Sequence, residues 1–185
     1  MTDQVAVEAT EPTEQDPVLA RVQEHFGDRL IELGLDGDCP AFVIDREGLI
    51  ELVTFLKDEP DLGFDRLSDL CAVDYLELER TPRFGIVYHL YAAAQHRYAR
   101  IRVPVDEDDA VVPSLTAVWP GANWFEREAF DQYGIEFSDH PDLKRILNPD
   151  DWEGYPLRKD YEHTPEAVEF SFNPEKWQKA VQRGD

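Results

Sequence analysis

The stretch 84-FGIVYHLYAAAQHRYARIRVPV-105 decides the fold. Phe84, Ile86, Tyr88 and Leu90 recur at every second position. After a turn near Ala94-Gln95 the alternation resumes, with Ala99, Ile101 and Val103 on one side and Tyr98, Arg100 and Arg102 on the other. A period of two sends successive side chains to opposite faces of an extended chain, so the pattern predicts two consecutive half-buried strands.

Toward the N-terminus, Leu70 to Leu78 reads as a third strand of the chain, preceding these two. Before it, Asp45 stands where an N-cap would, and Leu49, Ile50, Val53 and Leu56 repeat at helical spacing until Pro60 and Gly63 break the pattern. Leu30-Ile31-Glu32-Leu33 and Ala41-Phe42-Val43-Ile44 flank a turn-rich stretch from Gly34 to Pro40, the signature of a short hairpin. Asp16-Pro17 pairs a cap with proline at the first helical position, Val18, Leu19, Val22 and Phe26 form one stripe, and Gly27 closes the helix. Residues 1–15, mixing Thr, Glu, Gln and Pro, are expected to be a disordered leader. The order αββαβββ favours a two-layer α+β domain over residues 16–134, with helices on one face of a mainly antiparallel sheet.

Toward the C-terminus, Asp106-Glu107-Asp108-Asp109 reads as a solvated loop, and a short helical piece is expected after Pro113. Asn123 is the expected cap of a helix running to Tyr133, with Glu126 three positions on completing a capping box and Gly134 as the stop. Arg127 and Asp131 stand four apart on that helix, the spacing of an intrahelical ion pair. From Glu136 to Tyr161 no periodicity persists, and Pro141, Pro149, Gly154 and Pro156 forbid a long helix or central strand. Leu143, Ile146, Leu147, Trp152, Tyr155 and Leu157 nevertheless make this coil too apolar for a solvated loop. Residues 135–185 therefore read as an irregular C-terminal extension that gains its order by lying on a partner. A terminal helix containing Trp177 is expected after Phe170, Phe172 and the Asn173-Pro174 cap.

The bulk numbers bound the function. Asp and Glu total 40 against 18 Lys and Arg, a net charge of -22, which repels phosphate backbones and anionic lipid surfaces. Two separated cysteines, Cys39 and Cys71, cannot build an iron–sulfur cluster or a structural zinc site from thiolates, so no metal or cofactor is expected in this chain. Met1 to Asp16 has neither the basic nor the apolar region of a signal peptide, and no apolar run is long enough to span a bilayer.

From Glu126 to Tyr161 the chain reads EREAFDQYGIEFSDHPDLKRILNPDDWEGYPLRKDY. This resembles the signature of the complex I 30 kDa subunit family: Glu126-Arg127-Glu128, Asp131, Tyr133-Gly134, His140-Pro141-Asp142-Leu143, Lys144-Arg145-Ile146-Leu147 and Gly154-Tyr155-Pro156-Leu157-Arg158-Lys159-Asp160-Tyr161. Asp65-Arg66-Leu67 through Asp74-Tyr75-Leu76 resembles the family's third-strand region more loosely. Gln132 stands where the family usually has a large apolar residue, and Asp139 where it usually has glycine. The resemblance implies a non-catalytic structural subunit of the peripheral arm of proton-translocating NADH:quinone oxidoreductase, on the cytoplasmic side of the bacterial inner membrane. FMN, Fe–S clusters and quinone are implied in other subunits of the complex, and the 49 kDa-type subunit is implied as the chief partner. The expected partner interface comprises Glu126, Arg127, Glu128, Asp131, His140, Asp142, Leu143, Arg145, Ile146, Leu147, Trp152, Leu157, Arg158, Lys159, Asp160 and Tyr161.

Four other readings compete. A related membrane-bound hydrogenase or ferredoxin-linked complex would use an equivalent subunit. A carboxylate hydrolase would need Glu126 with Glu128, or Asp150 with Asp151, to share a substrate, but residues two apart on a helix diverge and the aspartates read as turn residues. Metal binding by His140 with His163, or by His89 with His96, matches no ligand spacing. A stand-alone acidic binding module explains the charge but leaves the proline-interrupted segment without a role.

Overall fold

The Asp16 carboxylate accepts the backbone N–H groups of Val18 and Leu19 at 2.8 and 3.4 Å, which satisfies two donors left free at the start of α1 (Pro17–Phe26). These contacts belong to a computed structural model that describes residues 16–78 and 80–162. The leader at residues 1–15, His163 and the helix expected around Trp177 lie outside the described residues.

Val18, Val22 and Phe26 of α1 are buried, and Gly27 ends the helix at φ 48°. The predicted hairpin is β1 (Leu30–Asp36) with β2 (Cys39–Ile44), antiparallel. In α2 (Arg46–Asp58) the inward positions are Leu49, Leu52, Val53 and Leu56, while Ile50, expected on the stripe, points outward at 37% exposure. The Asp45 side chain makes no cap hydrogen bond.

Next comes β3 (Arg66–Asp74), which starts earlier than expected and ends before Leu76–Leu78, a 3-10 turn. The Asp74 carboxylate accepts the N–H of Leu76 at 3.0 Å and so bends the chain out of the strand. It is followed by β4 (Phe84–Ala92) and β5 (Arg97–Val105), whose alternation is as the sequence requires. The sheet order is β1-β2-β5-β4-β3, antiparallel throughout except for the parallel β2–β5 pair. One face buries Phe42, Ile44, Phe84, Ile86, Tyr88, Leu90, Ile101 and Val103 under the helices. The other face carries Val43, Val87, His89, Arg100 and Arg102 and has no second layer among the described residues.

No helix follows Pro113. Instead β6 (Val111–Pro113) pairs in parallel with β7 (Glu136–Ser138), on either side of α3 (Ala122–Tyr133). Three-residue strands are too short to show alternation, so this pair is invisible to sequence periodicity. It carries Ile135 and Phe137 into the core at 0% and 3% exposure, and the globular unit therefore continues past Gly134.

Candidate partner interface

α3 is held by its acids. Glu126, expected to close a capping box, is fully buried and turned away from its own helix end. Its carboxylate accepts Ser114 Oγ–H and Leu115 N–H, each at 2.6 Å, with His140 Nε2 at 4.0 Å. Burial pushes the Glu126 carboxyl above its usual range, and the two donors only partly oppose that. The helix is capped by Gly121 without a side-chain bond, and Asn123 lies inside the first turn. A capping box needs the acid to reach back to the cap, whereas the core side of α3 offers Glu126 two better-aligned donors.

One turn later, Asp131 organises the irregular segment, here called the strap. With no exposed side-chain surface, its Oδ2 accepts the N–H groups of Ile146, Leu147 and Asn148 at 3.1, 2.8 and 2.8 Å. Its Oδ1 accepts Arg145 Nη1 at 2.8 Å and Asn148 Nδ2 at 3.0 Å. Burial alone would raise the Asp131 carboxyl, but the Asn148 and Leu147 amides and Arg145 outweigh it and hold the group far below the usual aspartate range. The expected pair between Arg127 and Asp131 does not form. Arg127 instead donates to the carbonyls of Lys144 and Arg145 at 3.0 and 3.1 Å and lies over Trp124.

The strap then closes over Gly134, which ends α3 at φ 72°. A Cβ there would meet the Tyr155 ring at 2.5 Å, so only glycine permits both the backbone angle and the approach. Tyr155 sits between Arg145 and Arg158, whose guanidinium carbons stand 5.5 and 4.6 Å from its centroid. Arg158 Nε donates to the Tyr133 carbonyl at 2.7 Å, and Leu157 N–H donates to the Gln132 carbonyl at 3.2 Å. Asp139 has φ 61°, the left-handed conformation for which glycine is suited. The strap ends on the sheet: Asp74 accepts Lys159 N–H at 2.9 Å, and Arg83 bridges Asp74 and Asp160 at 2.9 and 2.6 Å.

These contacts correct one expectation. The charges of Glu126, Asp131, Arg127, Arg145 and Arg158 are satisfied inside the chain, and the strap up to Glu162 is ordered on its own α3 and sheet end. A coil without periodicity has to find partners for its amides, and one buried carboxylate facing three of them meets that demand locally. His140 is likewise internal, its Nδ1 accepting Asp142 N–H at 3.1 Å, and Leu143 packs against the core. What faces outward is Glu128, with Leu147, Trp152 and Leu157 on the strap at 65%, 36% and 51% exposure. Trp124 of α3, which the sequence reading did not single out, is 62% exposed. Its place opposite the buried Ala129 and Glu126 was the available signal.

His89 does not meet His96, whose Nδ1 lies 3.1 Å from Tyr91 Oη. On the open sheet face Asp69, Cys71 and His89 bring one ligand atom each within 4.8 Å of one another, but Arg100 bears electrostatically on both Cys71 and His89, which opposes a cation.

Residues 42–167 match the family described as the respiratory-chain NADH dehydrogenase 30 kDa subunit. The C-type NADH-quinone oxidoreductase subunit of Roseiflexus sp. (strain RS-1) is 45% identical over 160 residues, 86% of this chain and 90% of its own length. The equivalent subunit of Hyphomonas neptunium is 49% identical over 121 residues, 65% of this chain and 58% of its own. Among solved structures, a trypsin-resistant fragment of Nqo5 superposes with a TM-score of 0.60 at 32% identity, over 68% of this chain and 98% of the fragment. The fold also recurs in the membrane-bound sulfane sulfur reductase, an archaeal respiratory membrane complex, at TM-score 0.66, 20% identity and 91% of both chains.

Proposed function

The chain belongs to the family of the respiratory-chain NADH dehydrogenase 30 kDa subunit, and from that premise we propose that it is a non-catalytic structural subunit in the peripheral arm of a proton-translocating NADH:quinone oxidoreductase. In that assembly FMN and Fe–S clusters held by other subunits pass electrons from NADH to quinone. This chain carries no electron, since two cysteines fall short of the thiolate set a cluster requires. Its work is to brace the quinone-reducing module against neighbouring peripheral-arm subunits, chiefly the 49 kDa-type subunit. It sits at the cytoplasmic face of the membrane and reaches the membrane only through the complex. No helix among the described residues is long and apolar enough to cross a bilayer.

One observation carries the reading. The strap is irregular yet held by buried charge, and it presents Leu147, Trp152 and Leu157 outward, with Trp124 on the helix that anchors it. Single exposed apolar residues are ordinary; several on one pre-ordered segment match the apolar anchors of protein interfaces, and pre-ordering lowers the entropy cost of binding. Affinity capture of the tagged full chain should recover the NADH-oxidising flavoprotein subunit. Recovery of hydrogenase subunits in its place would assign the chain to the related machine. Leu157→Asp should lower recovery of the assembly while the thermal midpoint of the isolated chain stays within about 2 °C, as surface changes do. Undiminished recovery would remove the strap from the interface.

A further inference from the structure

At the end of the open sheet face, a cleft of about 620 Å³ runs between β1 and the loop before β4, with Arg80 and Arg102 on its wall. Its size is that of a ligand pocket. The remaining lining is largely apolar, including Ile31, Val43 and Pro104, with Tyr75 closing one side. Gly85 makes that side possible, because a Cβ there would come within 3.0 Å of the Tyr75 ring.

The electrostatics of this cleft differ from those elsewhere in the chain. Among the described residues Arg83 meets three carboxylates, Arg145 meets Asp131, Arg97 meets Asp16 and Arg100 meets Asp36. Arg102 has no such partner among them: its Nε–H is buried and donates to nothing, and no described carboxylate lies within ion-pair distance of its guanidinium. Glu32 lines the same cleft without pairing to it, and Arg80 lies over the Tyr75 ring, 5.6 Å from its centroid. A buried guanidinium donor without an acceptor is costly, and it is rare enough in native proteins to require an explanation. In a chain of net charge -22, carboxylates to neutralise it were abundant.

We propose that this cleft is a second docking site, taking an acidic side chain flanked by aliphatic residues from a neighbouring subunit, with Arg102 as the guanidinium fork that receives the carboxylate. The apolar wall receives the flanking aliphatic groups, and Arg80 adds a second positive charge at the rim. A planar guanidinium matches a carboxylate in two parallel hydrogen bonds, which a lysine ammonium does not. The inference rests on membership in a multi-subunit assembly, but it involves none of the strap residues.

Two measurements test it. Full-length chains carrying Arg102→Met, Arg102→Glu or Arg102→Lys replace the wild type, and the amount of each retained in the purified assembly is read across a salt series. Loss of a desolvated charge pair predicts roughly a tenfold or greater loss of retention for Met and Glu, with Lys between them and wild type. The thermal midpoint of isolated Arg102→Met should not fall, because the orphaned donor is gone. Phenylglyoxal modification read by peptide mass should label Arg102 in the isolated chain and spare it in the assembly. Wild-type retention of Arg102→Met in an assembly that contains the flavoprotein subunit overturns the cleft and leaves the family reading intact; failure of the wild-type chain to recover any assembly overturns that reading instead. Inorganic phosphate that stabilises isolated wild type but not Arg102→Met would make the site one for a free anion and refute a docked polypeptide. Arg102 protected in the isolated chain, and exposed by truncation after Glu162, would make the occupant this chain's own terminus and also refute it.

Discussion

Asp131→Asn should release the strap. The substitution keeps the shape but replaces one acceptor oxygen with a donor. If the new amide takes the Oδ2 position, it faces the N–H groups of Ile146, Leu147 and Asn148; if it takes Oδ1, it faces Arg145 and the Asn148 side chain. Either way Arg145, with its side chain 16% exposed, loses its counter-charge. Breaking a buried pair by removing one partner costs about 3–5 kcal/mol. Set against a typical domain stability of about 5–15 kcal/mol, that opens the strap without unfolding the sheet. The assay is hydrogen exchange at the amides of residues 146–148, where about 3 kcal/mol corresponds to roughly a hundredfold faster exchange. The pH dependence follows from the same group. Because the folded-state carboxyl is held below its unfolded value, its stabilisation is complete above about pH 4 and is lost as pH falls through the unfolded and then the folded value. Wild type should therefore loosen the strap only in strong acid, and Asp131→Asn should be loose at every pH. Wild-type exchange at those three amides in the variant would refute the reasoning and assign the strap's order to the packing of Tyr155 and Arg158.

Gly134→Ala should cost about 1–3 kcal/mol in urea unfolding from the left-handed backbone alone, with the displaced Tyr155 ring adding to it; a change below about 0.5 kcal/mol would contradict the close approach. Arg83→Met leaves Asp74, which has no exposed side-chain surface, without its guanidinium and unties Asp160, so a loss of about 3 kcal/mol and faster exchange at Lys159 N–H are expected by the same assays. Glu126 titrates in the opposite sense. Its folded-state carboxyl is raised by burial, so stability should fall as pH rises from about 4 toward the folded value, and Glu126→Gln should flatten that slope in unfolding measured from pH 4 to 7. An unchanged slope would place its titration elsewhere.

The sequence by itself determined most of the frame. Alternation through Phe84–Leu90 and Ala99–Val103 set the two longest strands on their correct faces, and the Asp16-Pro17 and Gly134 signals bounded α1 and α3. The charged signature from Glu126 to Tyr161 was sufficient for the family, because such motifs are local strings. Local order and one-faced burial repeat along the chain, so one dimension records them. Tertiary structure alone decided what each charge faces. Glu126, Asp131, Arg145 and Arg158 read equally well as contacts to a partner, but partners 11 to 25 positions away along the chain, from Leu115 to the Tyr133 carbonyl, bind them internally. The short β6–β7 pair and the lone guanidinium of Arg102 were hidden for the same reason. A charge's role depends on which donors and acceptors the folded chain brings within about 3 Å, and residue type and spacing carry no record of that distance.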